Sequence, residues 1–96
     1  MIVHIVIFKL FENDSNSIED FISELEILKK LPFSLKLKVV KKSNIFKSYI
    51  EGDVLLYSEF NSKEDLNDYM NNHKHLKVIE DTSSKIQDKY ILDFGV

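Results

Sequence analysis

MIVHIVIFKL, residues 1–10, is the stretch that decides the fold. Ile2, Val3, Ile5, Val6, Ile7 and Phe8 are strand-forming types, and neither glycine nor proline interrupts them. Alternation, carried on to Phe11, puts Ile2, His4, Val6, Phe8 and Leu10 on one side and Val3, Ile5, Ile7, Lys9 and Phe11 on the other. Both sides are apolar, so this strand asks for cover on both faces. His4 is the anomaly, an ionisable ring in a segment otherwise built for burial.

The size of the chain limits how that cover is supplied. Its 96 residues correspond to a single domain, 1–96, with a modest core. Helices of the same chain can cover one face of the sheet, and a second subunit is the economical cover for the other. A composition of 44% hydrophobic and 30% charged residues, with two glycines and one proline, is that of a folded protein. A net charge of -3 with both signs mixed along the chain offers no basic field for nucleic acid. Lys29-Lys30 and Lys41-Lys42 read as solvated charges near element ends. Without cysteine there is no disulfide framework, no thiolate nucleophile and no thiolate metal site, which favours the cytoplasm. The first apolar run ends at Lys9, too short to span a bilayer, and it lacks the basic flank and cleavage site of a signal peptide.

Further along, Ser17 and Asp20 form a capping-box-like start for a helix whose stripe is Ile18, Phe21, Ile22, Leu25 and Leu28, with Pro32 as its stop. SLKLKVVKK alternates Leu35, Leu37 and Val39 with lysines, the pattern of a strand near a sheet edge. The connection KKSNIFKSYIEGD has turn residues at Asn44 and at Gly52-Asp53 but no readable shape. DVLLYSEF is a third strand, with Val54, Leu56, Ser58 and Phe60 on one side. Ser62, with Asp65 as its reciprocal partner, caps a second helix through Leu66, Tyr69 and Met70, and Asn71-Asn72 breaks it. Leu76, Ile79, Ser83 and Ile86 then recur at helical spacing, and KYILDFGV closes the chain as a strand with Tyr90, Leu92, Phe94 and Val96 on one face. The order βαββααβ is an α+β sandwich of ferredoxin-like type: a four-stranded antiparallel sheet with helices on one face. Two such sheets packed face to face give a dimeric α/β barrel.

Three stretches, MIVHIVIFKLFEN, SEFNSKEDLNDYMNNHKHLKVIED and YILDFGV, resemble the stress-responsive dimeric A/B barrel family, Dabb, over nearly the whole chain. The specific features are the first-strand histidine, an aspartate-aromatic pair in the last strand, and the spacing from Tyr69 to His75. The resemblance implies a homodimer paired through its sheets, with a cavity between sheet and helices and no cofactor. A plant branch, olivetolic acid cyclase, uses a tyrosine and a histidine of this region in aldol-type ring closure. Those positions match Tyr69 and His75, and the first-strand histidine matches His4. Where the family often has Asn-His-Pro-x-His, this chain has Asn71-Asn72-His73-Lys74-His75, so the loop lacks the fixed dihedral of proline.

His4, Tyr69 and His75 are the candidate site residues. A neutral imidazole works as a base near pH 7, and a tyrosine returns a proton to an oxygen. The structural alternatives are a buried histidine bonded to a carbonyl, and a tyrosine that packs with its hydroxyl at the rim. His73 and His75 share no face of a helix, and no His-Glu-x-x-His pattern is present, so no metal is expected. Asp93 is either a group that orients a histidine ring or a solvated residue at a strand end, and the latter is the expectation. The leading functional expectation is a homodimeric binding protein with a small apolar pocket for an apolar or aromatic ligand. A cofactor-free cyclase or isomerase of polyketide-cyclase type is the alternative. Haem-degrading monooxygenases share the architecture but use an Asn-Trp-His set, and this chain has no tryptophan.

Overall fold

The computed structural model describes residues 1–96. Four strands, β1 (Ile2–Leu10), β2 (Lys36–Lys41), β3 (Val54–Phe60) and β4 (Ile86–Gly95), form one antiparallel sheet in the order β2-β3-β1-β4. Three helices lie on one face: α1 (Ser15–Leu25), α2 (Lys63–Asn71) and α3 (His73–Thr82). This is the ferredoxin-like α+β arrangement, with the opening strand at the centre between β3 and β4.

The core sits between that face and the helices. Val6, Phe8 and Leu10 of β1 and Val54, Leu56 and Phe60 of β3 meet Ile18, Phe21, Leu25 and Leu28, so the stripe expected of the first helix is the one buried. Phe8 and Phe21 pack edge to face with centroids 5.0 Å apart, an arrangement that adds about 0.5–1.5 kcal/mol beyond the area buried. Leu37 and Val39 of the lysine-rich edge strand pack against this cluster, while Lys36 and Lys38 stay exposed.

Several local expectations change. Asp14, not Ser17, caps α1: its carboxylate accepts from the Ser17 amide at 2.9 Å and from the Ser17 hydroxyl at 3.0 Å. Asp outcompetes Ser here because it accepts at both oxygens and places a negative charge at the positive end of the helix. The same segment tightens into a 3-10 turn over Glu26–Lys30, and the chain is already extended at Leu31, before Pro32. Ser62 does cap α2, accepting from the Asp65 amide at 3.1 Å. Asn72 ends α2 through its amide and starts α3 through its side chain, which accepts from the Lys74 amide at 2.9 Å. That one-residue joint sets the phase of α3. Its buried side is His75, Val78 and Thr82, whereas Leu76 is half exposed and Ile86 already belongs to β4.

The connection from Lys42 to Asp53 is anchored at its end. Buried Asp53 accepts from the Leu10 amide at 2.8 Å, beside a register shift between Lys9 and Leu10. Gly52 passes so close to Ile7 that any Cβ there would collide with its side chain.

No helix covers the other face. In its cross-strand rows Ile5 lies between Tyr57 and Leu92, and Ile7 between Leu55 and Tyr90. Leu92, at 59% exposure, and Phe94, at 40%, are open to solvent on this face.

Candidate functional site

A polar row crosses the middle of the sheet on the helix side. Register places His4 directly opposite Ser58 on β3 and Asp93 on β4, and opposed residues share a face. The Ser58 hydroxyl donates to the His4 carbonyl at 3.2 Å. His4, only 2% exposed, pairs its Nδ1 with the Asp93 carboxylate. This contact corrects the expectation for Asp93: the side chain is half exposed, yet its inner oxygen holds the imidazole. Alternation alone puts Asp93 on the same face as Ile91, but only the register of β4 against β1 puts it opposite His4.

Above this row, α2 and α3 bring Tyr69 and His75 together. Their ring centroids are 4.6 Å apart, and Tyr69 also contacts Phe60 at 5.1 Å and the His4 ring at 6.4 Å. The three sequence candidates thus form one cluster around Tyr69. Nδ1 of His75 bonds the Met70 carbonyl at 3.1 Å. This carbonyl belongs to the last turn of α2, where helix oxygens have no partner within the helix. The ring therefore holds α3 onto the end of α2, and with Nδ1–H as the donor its Nε2 keeps a lone pair. Burial lowers the pKa of His75, partly offset by the Met70 bond, and the nearby charges of His4 and Lys89 lower it further. His73 is exposed while His75 is buried, so the two do not converge.

Tyr69 is fully buried, and its hydroxyl has no hydrogen-bond partner in the protein. Burial pushes its ionisation far above the usual tyrosine range, which keeps the hydroxyl neutral and a donor only of its own proton. The expectation of a hydroxyl at the rim does not hold.

His4 and His75 line a cavity of about 40 Å³ between the sheet and the helices. Its wall is mostly apolar and runs from Phe8, Leu56 and Val78 out to Lys89 and Ile91 on exposed β4. Tyr69 is not part of that wall. The space takes a water or a small chemical group and is far below the few hundred cubic ångströms of a typical ligand pocket. Sequence reasoning did not single out Lys89 or the Met70 carbonyl. Neither carries a signal before the strand register and the helix joint bring it to the cavity.

No helix is long and apolar enough to cross a membrane. Solved structures share the fold. A Dabb family protein with a ferredoxin-like fold from Mesorhizobium loti superposes with a TM-score of 0.86 at 16% identity, covering 99% of this chain and 95% of that one. A dimeric ferredoxin-like protein of unknown function from Thermobifida fusca does so with a TM-score of 0.81 at 14% identity, covering 99% and 90%. The hydroxynitrile lyase of Passiflora edulis gives a TM-score of 0.78 at 16% identity, covering 99% and 92%. No curated protein sequence matches the chain. The central histidine-bearing strand, the helix-free sheet face and the tyrosine-histidine cluster agree with the match of residues 2–96 to the Stress responsive A/B Barrel Domain model, and the chain belongs to that family.

Proposed function

We propose that this protein is a homodimer, paired through its helix-free sheet face, that binds one small apolar or aromatic molecule carrying a polar group at the cluster of His4, Tyr69 and His75. The observation that carries the binding reading is the cavity that His4 and His75 line between sheet and helices, with the Tyr69 ring packed against His75. The Tyr69 hydroxyl, buried without a partner outside that wall, costs about 1–3 kcal/mol relative to a bonded one, and a ligand whose entry turns the His75 ring aside recovers that energy by bonding it. The small cavity admits only the inner end of the ligand, and the rest lies against Ile91 and Lys89 at the open side. Pairing of two copies is supported by the apolar rows around Ile5 and Ile7, which would otherwise face water, and by the dimeric description of the Thermobifida fusca neighbour. The absence of cysteine suits work in the cytoplasm.

A second reading, a cofactor-free cyclase or isomerase of polyketide-cyclase type, is favoured by the histidine geometry. His75 is bonded through Nδ1, which leaves Nε2 free to accept a proton, and burial keeps the ring neutral near pH 7. Tyr69, packed against the His75 ring and held in its neutral form, is the proton donor this reading requires once a substrate displaces the wall between them. The environments split the two groups into a base and an acid, the arrangement needed to take a proton next to a carbonyl and return one to its oxygen.

The test is a panel of small aromatic carbonyl compounds assayed by calorimetry against the wild type and Tyr69→Phe. The variant is expected to keep or raise its thermal stability and to lose affinity about five-fold or more. A variant destabilised by about 1–3 kcal/mol, with binding intact, would mean that the hydroxyl has a structural role. If a compound is turned over, His75→Asn should lower kcat by about 100-fold or more, whereas a pure binder shows no turnover to lose.

A further inference from the structure

The cavity wall beside the site contains three nitrogen-bearing side chains, His4, His75 and Lys89, and no carboxylate. Its remaining members are apolar except Thr82, whose hydroxyl is committed to the Val78 carbonyl at 2.7 Å. An acid-free wall is not the default of a chain whose acids outnumber its lysines, 16 to 13. Lys89 is paired with Phe8 in the sheet, which directs its side chain to the helix side, in line with Ile91 and Asp93. It takes part in none of the ion pairs of the molecule. The acids of its own strand are already engaged: Asp93 holds His4, and Asp88 accepts from the Tyr90 hydroxyl at 2.8 Å.

We infer that Lys89 anchors an acidic group of the ligand at the open side of the cavity, from which the hydrocarbon body of the ligand runs inward past Phe8 and Val78 toward the polar cluster. This names the ligand class of the binding reading above and rests on it. The lysine sits at the exposed side, where its head stays partly hydrated. Its contribution to affinity is therefore modest, about two-fold to five-fold, and acts mainly as a choice between an acid and its neutral isostere.

Butyrate and butyramide have nearly the same shape and differ in charge. Titrated into the isotopically labelled full chain at constant ionic strength, both should shift the amide resonances of His75, Val78, Ile79 and Ile91, with butyrate binding about two-fold to five-fold more tightly. Lys89→Met keeps an apolar stem over the cavity and should erase the preference, and Lys89→Arg should retain it. Equal affinities in the wild type, or a preference that survives in Lys89→Met, would overturn the role of Lys89 and leave the cavity as a binding site. If neither probe moves these resonances, the cavity reading falls and this inference falls with it.

Discussion

Across β1, the helix-covered face presents His4, Val6 and Phe8, and the helix-free face presents Ile5 and Ile7. The covered side buries the apolar core together with a few polar side chains, and the open side leaves apolar rows at the surface. His4 is 2% exposed and Tyr69 fully buried, while Leu92 remains 59% exposed. Burial here follows chain architecture rather than side-chain polarity: three helices suffice for one face, and their layer must then accommodate an imidazole pair and a phenol. Each polar group meets that demand differently. His4 has Asp93, His75 has the Met70 carbonyl, and the Tyr69 hydroxyl has nothing. The open face answers a different demand, because its apolar rows gain only from a surface outside the chain.

The largest contrast between the faces should come from truncating one large side chain on each. Phe21→Ala, in the covered core, should cost about 3–5 kcal/mol in chemical denaturation. Leu92→Glu, on the open face, should leave the fold of the protomer intact but reduce the particle in light scattering to the single-chain mass of 11.3 kDa. A Leu92→Glu protein that keeps the mass of the wild type would remove the distinction drawn between the faces.

A smaller effect is expected inside the covered face. Asp93→Ala takes the acceptor from a buried histidine, and such a loss costs about 1–3 kcal/mol. Because Asp93 is half exposed, water reaches the vacated position and the loss should lie near the low end. The ring resonances of His4 should move in the same variant, which a change in β4 packing alone would not produce.

The smallest effect is a pH dependence. His75 has a folded pKa below that of the unfolded chain, mainly because burial disfavours the charged ring. The unfolded state then binds the extra proton first. Stability should be complete above the unfolded value near 6.5 and should decline as pH falls below it, until the folded ring also protonates. His75→Asn should flatten the part of the stability profile below that value, and a profile unchanged by the substitution would mean that the ring titrates as freely in the fold as out of it.

Much of this was legible one residue at a time. β3 needed only its alternation, since Val54, Leu56, Ser58 and Phe60 are all on the buried side. Ser62 needed only its place before a helical run. The phase of α3 was not legible, because a single residue, Asn72, serves as the end of one helix and the start of the next, and that joint rotates His75 inward and Leu76 outward. Asp93 was misread for a related reason. A lone carboxylate near the end of an exposed strand looks solvated until a partner strand is placed beside it.

The order of elements, the two apolar faces of β1 and the presence of His4, Tyr69 and His75 follow from the sequence alone, because hydrophobic period and capping chemistry act over a few neighbouring residues. The pairing of His4 with Asp93, 89 positions apart, the seating of His75 on the Met70 carbonyl and the isolation of the Tyr69 hydroxyl were decided only by tertiary structure. Each depends on strand register and helix phase, which are set by the packing of the whole sheet against its helices and are encoded in no local stretch of the chain.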